Sequence, residues 1–544
     1  LIEISNLSYS YPRAAKPALL DITTKIDRGE FILLAGPSGA GKSTLLRSLN
    51  GLVPHYSGGT ASGRVVVDGI DVFAGGPKKL SSVVGFVFQD PEAQNVLDIV
   101  EDELAFGMEN AAVPSEEMHQ RIGDVLDVLE MTSMRDRQIS TLSGGERQRL
   151  AIASVLIMKP RVIALDEPTS QLDPQSASEL LRYLVRLNDE WELTIVMVEH
   201  RLERVARYAD RLLYLKDGRL KVDEPVEQGL AQLDPEQGPP LARLSQTMGW
   251  DPMPMTTREG SEQSSLSGLD APNIDTGQEG QRPAANASLL QTLDLHFSYG
   301  ETAILKGVFL EIRAGEAVAL VGRNGSGKST LLQCLVGLLI PSNGEILLDG
   351  ESIVGHEVSD ICQDIAFLPQ NPDDLLFADS VAEELDITLK NHCLNPEQLA
   401  QSPEELLDKL DLSDCASSYP RDLSAGQRQR VALGAVIVPE PRIVLLDEPT
   451  RGLDYSSKSR LMEIWKQWRE DGIGFLLVTH DVELVARACD RVMVLDRGII
   501  TADGPTAEVL DSHPIFRPQL ARLFPGYGWM TVNDAADGIS QQLG

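Results

Sequence analysis

The string GPSGAGKST at 36–44 sets Gly36, Gly39 and Gly41 ahead of Lys42, Ser43 and Thr44. Glycines in such a turn let backbone N–H groups wrap phosphate oxygens without side-chain obstruction. A helix opening at the lysine adds the partial positive charge of its N-terminus. In this pattern the lysine reaches the β- and γ-phosphates and the hydroxyl after it ligates Mg2+. GRNGSGKST at 322–330 repeats the arrangement with Gly322, Gly325, Gly327, Lys328, Ser329 and Thr330.

Two further strings bring charge and small residues. VIALDEP (162–168) and IVLLDEP (443–449) each end an apolar run in two acids and a proline. Asp166 and Asp447 are expected to hold Mg2+, directly or through water, because hard cations take oxygen ligands. Glu167 and Glu448, one residue later, can orient and deprotonate an attacking water. LSGGE (142–146) and LSAGQ (423–427) begin with Ser143 and Ser424, good helix N-caps. Gly144 and Gly145, or Ala425 and Gly426, follow; small residues there leave backbone N–H groups open to an anion.

The elements that must position these groups form an alternating pattern. Apolar runs at 31–35, 162–165 and 194–198, and again at 317–321, 443–446 and 475–478, are bounded by glycine or charge. They predict strands buried on both faces, each followed by a helical stretch, and so an α/β fold with a parallel core sheet. The chain is written twice: the phosphate loops, the glutamines Gln89 and Gln370, the LSGGE/LSAGQ strings, the DEP strings, and His200 and His480 recur in one order at nearly constant spacing. LARL-x4-GW at 241–250 recurs at 520–529. Between the copies, 251–288 has no aromatic residue and is rich in Gly, Pro, Ser, Gln and Glu, so the part after Glu259 is expected to be a flexible acidic tether.

Composition narrows the class. The 544 residues carry a net charge of −33, with 42% hydrophobic and 5% aromatic residues. That is globular composition, and so acidic a surface repels phosphate backbones, which argues against nucleic acid as a partner. Apolar runs such as 334–340 fall far short of a membrane span, and the opening residues do not pair a basic segment with an apolar run as a secretory signal would. The five cysteines all lie in the second half and form no C-x-x-C pair, which fits reduced thiols in a cytosolic protein.

Taken in order and twice over, phosphate loop, Gln89, LSGGE, LDEP, SQLD (170–173) and His200 resemble the ATP-binding cassette ATPases. The resemblance implies two tandem P-loop NTPase domains, each a RecA-like core with a β-subdomain and a helical signature subdomain. It maps the first cassette to 1–222 with a C-terminal tail at 223–258, the linker to 259–288, and the second cassette to 289–503 with a tail at 504–544. Tyr11 and Tyr299 match the aromatic that stacks on adenine, a core tyrosine being the alternative. Gln89 and Gln370 match the glutamine that touches metal and water and links the site to a transmembrane partner. Asp173 and Asp454 match the aspartate through which cassettes communicate, and His200 and His480 the histidine that contacts the γ-phosphate. The resemblance also implies that the cassettes pair head to tail around two ATP. Lys42, Gln89, Glu167 and His200 would then work with Ser424 and Gly426, and Lys328, Gln370, Glu448 and His480 with Ser143 and Gly145. Ala425 and Glu146 depart from the family pattern; neither removes a general base or a histidine, so both sites are expected to hydrolyse ATP.

Shorter strings resemble the energy-coupling-factor importers of vitamins and of cobalt or nickel ions: 88–110 and 370–385 after the glutamines, PHYSGG (54–59), VEHRLE (198–203), and the tails at 250–260 and 529–537. That resemblance implies a transmembrane coupling protein and a membrane substrate-binding component as partners, and a place on the cytoplasmic face of the membrane. A tandem ATPase of a sugar or peptide importer stays open as an alternative. A soluble cassette protein acting on ribosomes or DNA also stays open, although it predicts a basic insertion or a cysteine cluster that this chain lacks.

Overall fold

The apolar runs become the centres of two six-stranded sheets in the computed structural model, which describes residues 1–14, 16–266 and 287–543. In the first, the order across the sheet is Arg219–Pro225, Arg211–Lys216, Phe31–Ala35, Thr194–Val198, Val162–Asp166 and Val84–Val87. All neighbours are parallel except the outermost pair, Arg219–Pro225 with Arg211–Lys216. Every residue of Phe31–Ala35, Val162–Asp166 and Thr194–Val198 is buried, as strands covered on both faces must be.

Register decides where the chemistry gathers. Phe31 pairs with Ile195, and Asp166 with Val198, so these strands end level with one another. Their carboxyl ends deliver the loop at Gly36, the acids Asp166 and Glu167, and His200 to one edge of the sheet, where open α/β sheets bind ligands. The second copy repeats this in the order Ile365–Leu368, Ile443–Asp447, Gly474–Val478, Ala317–Val321, Arg491–Asp496 and Ile499–Pro505.

Each core carries a four-stranded antiparallel sheet: Leu19–Ile26, Ile2–Ser10, Thr60–Val67 and Ile70–Asp71, then Thr302–Arg313, Ser288–Tyr299, Asn343–Leu348 and Glu351–Ser352. Helices supply the rest. Val100–Asn110, Ser115–Val128 and Gly144–Leu156 precede the strand Val162–Asp166; Val381–Asn391, Pro403–Lys409 and Ala425–Ile437 are their counterparts. The chain divides into two compact units, Leu1–Gly260 and Ser261–Gly544.

Some boundaries differ from those suggested by sequence. The last strands run to Pro225 and Pro505, past 222 and 503, because backbone pairing with Arg211–Lys216 and Arg491–Asp496 continues to those prolines. The tether expected from 259 begins as helix: Thr257–Leu266 is helical, with the Met255 amide donating to Glu259 Oε2 at 2.8 Å and the Glu259 amide to Thr256 Oγ1 at 3.2 Å. The remainder of that tether, 267–286, lies outside the described residues. All five cysteines are free, and no helix among the described residues is long and apolar enough to cross a membrane.

Candidate nucleotide sites

Each phosphate loop is shaped by backbone that side chains would spoil. Gly41, with φ of 99°, precedes the helix Lys42–Leu49, and a Cβ on it would fall 2.4 Å from the Ala18 carbonyl oxygen. Gly36 leaves even less room, since a Cβ there would stand 2.1 Å from the Leu215 oxygen. Lys42 Nζ donates to the carbonyls of Gly36 and Pro37, both at 2.8 Å, spanning the turn from within. Lys328 does the same with Gly322 and Arg323 at 2.9 Å. Gly325 and Gly327 hold positive φ like Gly39 and Gly41.

Behind the first loop, Ser43 Oγ donates to Asp166 Oδ1 at 3.1 Å. A hydroxyl and a buried carboxylate side by side are oxygen donors suited to Mg2+. Burial, then the neighbouring Glu167 carboxylate, pushes the Asp166 carboxyl up to about 6; Ser43, Arg47 and Lys42 pull against that rise. Asp447 is likewise raised by burial, with opposing pulls from Ser329 and Lys328.

Glu167 stands at the centre of the first copy's cluster. Gln89 Nε2 donates to its Oε2 at 2.9 Å, and His200 Nε2 lies 3.0 Å from its Oε1. Its backbone is left-handed, with φ of 50°, and so is that of Glu448. A non-glycine residue pays about 1–3 kcal/mol for a sparsely populated conformation. The turn aims each carboxylate back toward the histidine loop while the amide still pairs with Val198 or Val478.

In the second copy His480 Nε2 lies 3.5 Å from Glu448 Oε1, and Thr479 Oγ1 donates to Glu448 Oε2 at 3.2 Å. Gln370 is exposed and, among the described residues, makes no hydrogen bond to Glu448. The aromatics also differ. Tyr11 is partly buried beside Tyr9, with its hydroxyl 3.1 Å from Thr44 Oγ1, whereas Tyr299 is half exposed and stands edge-on to Phe297.

Ser143 and Ser424 head their helices as full capping boxes. The Ser143 amide donates to Glu146 Oε2 at 2.7 Å, and Arg137 stands 3.5 Å from the same carboxylate. The charge of Glu146 is thus spent on its own helix start. Gln427 takes that place in the second copy, its Oε1 accepting from the Ser424 amide at 3.1 Å. Gly144, Gly145, Ala425 and Gly426 form the first turns of these helices. Asp173 and Asp454 cap the helices Pro174–Trp191 and Tyr455–Glu470.

Sequence reasoning passed over two buried acids. Glu103 Oε2 accepts from the amides of Val96 and Leu97 at 2.9 and 2.8 Å, and Glu384 Oε2 from those of Phe377 and Ala378 at 3.0 and 2.8 Å. They hold the loop that follows each glutamine and present Val96 and Phe377, 60% and 73% exposed, to the outside. The signal was there: an acid recurs within the first turn of an otherwise apolar-faced helix in both copies. Glu199 was also missed. It is fully buried and accepts from the Thr169 amide and hydroxyl and from the His200 amide. Burial raises its carboxyl, and Thr169 opposes the rise.

Comparison with known proteins follows the same lines. A family model described as "ABC transporter" matches residues 19–170 and 305–451. A Streptomyces avermitilis protein bearing the name of an ABC transporter ATP-binding protein is 40% identical, the match covering 99% of this chain and 100% of that one. A Bacillus subtilis protein, YkoD, named for HMP/thiamine import, is 34% identical over 98% of this chain and 97% of its own length. An archaeal ribosome recycling factor, aABCE1, seen in complex with the ribosomal stalk protein aP1, shares the fold at a TM-score of 0.59 and 23% identity, covering 93% of this chain and 91% of that one.

Proposed function

From the premise that this chain belongs to the ABC transporter family, as a tandem-cassette ATPase, we propose that it powers an energy-coupling-factor-type importer. The observation that carries the motor part of this reading is the duplicated cluster of phosphate loop, buried Asp–Glu pair and histidine at the carboxyl edge of each parallel sheet. The importer type rests on the short strings after each glutamine and the likeness to YkoD. ATP is the substrate. Mg2+ bound to the Ser43–Asp166 and Ser329–Asp447 oxygens, with Gln89 and Gln370 nearby, would neutralise phosphate charge. Lys42 and Lys328 turn from loop carbonyls to the β- and γ-phosphates. Glu167 and Glu448 orient water and take its proton, while His200 and His480 hold the γ-phosphate.

Two ATP are sandwiched between the copies, the phosphate loop of each facing Ser143 and Gly145 or Ser424 and Gly426 of the other. Binding favours the closed pair because only there does a triphosphate touch both copies, and hydrolysis removes that differential contact. The capped Glu146 leaves its signature helix intact, so both sites turn over.

The chain works as the motor subunit of a transporter with membrane components. We place it on the cytoplasmic face, with a transmembrane coupling protein gripped by the exposed loops at Val96 and Phe377 and a membrane component that binds the cargo. What supports this placement is the recurrence of an exposed apolar side chain at one repeat position, held in each copy by a buried acid. The resemblance to YkoD across nearly the whole chain supports a vitamin as cargo. The test is to purify the chain from membranes and identify what accompanies it. A coupling protein, a small substrate-binding membrane protein and a retained vitamin or metal ion are expected, and V96D/F377D should release them while leaving ATP hydrolysis intact. Co-purification with the periplasmic-binding-protein type of sugar or peptide importer would overturn the reading.

A further inference from the structure

The second copy contains a buried ion pair between two positions that the first copy fills with other residues. Lys458 Nζ lies 2.6 Å from Asp481 Oδ2, and both side chains are at least nine-tenths buried. Neither end is incidental. Lys458 sits in the first turn of the helix that Asp454 caps, its amide bonding to the Asp454 carbonyl at 3.0 Å. Asp481 directly follows His480. Its Oδ1 accepts from the Leu484 amide at 3.2 Å, and its amide donates to Thr479 Oγ1 at 3.1 Å. Thr479 in turn donates to Glu448. His480 is therefore held on both flanks, by Thr479 toward the general base and by Asp481 toward the helix that begins at Asp454.

In the first copy the repeat places Ala177 where Lys458 stands and Arg201 where Asp481 stands, so this pair cannot form. Glu199 anchors the loop instead, through Thr169.

We propose that Lys458 is a positioning residue of the second site. Through Asp481 it fixes His480 to the helix carrying Asp454, so that displacement of the Asp454 turn is felt at His480 but not in this way at His200. Taking two charges out of water is expensive, and such a pair persists where its geometry is fixed by further hydrogen bonds, as here. The inference rests on the role proposed above for His480.

Steady-state ATP hydrolysis by the full chain tests it. K458M is expected to lower kcat at least twofold, up to the loss that H480A itself produces, with KM for ATP within twofold of the parent. K458R should restore kcat to within twofold. Added to H480A, K458M should slow turnover no further, because it acts through the missing imidazole. An unchanged kcat in K458M, a parallel rise in KM, or a full further loss in the H480A background overturns the inference. Should K458M fail to fold, D481N, which keeps an acceptor for the Leu484 amide, is read by the same criteria. Wild-type turnover in H480A would instead bring down the underlying assignment of His480, which separates the two failures.

Discussion

The two histidine loops, VEHR at 198–201 and VTHD at 478–481, occupy one position in the repeat and are braced by different chemistry. In the first, the buried Glu199 carboxylate receives the Thr169 amide, the Thr169 hydroxyl and the His200 amide. In the second, Thr479 bonds to Glu448 itself, and the Thr450 hydroxyl, the counterpart of Thr169, is buried without a hydrogen-bond partner among the described residues. The histidine–glutamate distance follows suit: 3.0 Å in the first copy and 3.5 Å in the second. Duplicated sites can thus keep every reacting group and still differ in what holds those groups, which is where unequal behaviour would originate.

The broadest way to break this comparison is to remove the proposed general bases. E167Q and E448Q should each at least halve phosphate release, and the double variant should fall by about 10²–10⁴-fold, the range general acid–base groups supply. If one single variant matched the parent, the two sites would not be equivalent in kind.

The next effect is on stability. Glu199→Ala strands the buried Thr169 amide and hydroxyl and removes the acceptor of the half-buried His200 amide, and each buried donor left unsatisfied costs about 1–3 kcal/mol. Thermal unfolding of the full chain should show a clear loss in the first unit's transition. Thr479→Val removes two bonds, the one donated to Glu448 and the one accepted from the Asp481 amide, against the three that Glu199 receives, and should cost less, about 1–2 kcal/mol, with the second unit affected. Equal losses from the two variants would erase the distinction drawn between the loops.

The smallest effect is a proton. The Asp166 carboxyl is raised from its ordinary 3.8 to about 6 by burial and by Glu167. With the folded value above the unfolded one, this group favours the folded state fully below about pH 3.8, and the contribution fades as pH rises through 6. A divalent cation needs the carboxylate, so binding of Mg2+ with ATP at pH 6 should release about half a proton from this group, falling toward none at pH 8. Titration calorimetry in buffers of different ionisation enthalpy measures it.

Much of this was legible in the residues themselves. Phe31–Ala35 and Thr194–Val198 were readable as buried strands because an unbroken apolar run has few other homes, and Ser143 and Ser424 as caps because serine favours a helix start. The bracing was not legible. Glu199 meets Thr169, and Lys458 meets Asp481, only after the sheet and helix are assembled, and a lone buried acid or lysine gives no local sign of its partner. The ends of Arg219–Pro225 and the helical start of the expected tether were hidden for a similar reason: pairing and capping, rather than composition, decide where they stop.

The central claim is that one chain binds two ATP, one on each copy's phosphate loop. The direct measurement is the nucleotide retained by E167Q/E448Q after incubation with Mg2+ and ATP and rapid removal of the excess. The account predicts two ATP per chain, falling to one when either Lys42 or Lys328 is also replaced by alanine. A single ATP per chain before that replacement would contradict it.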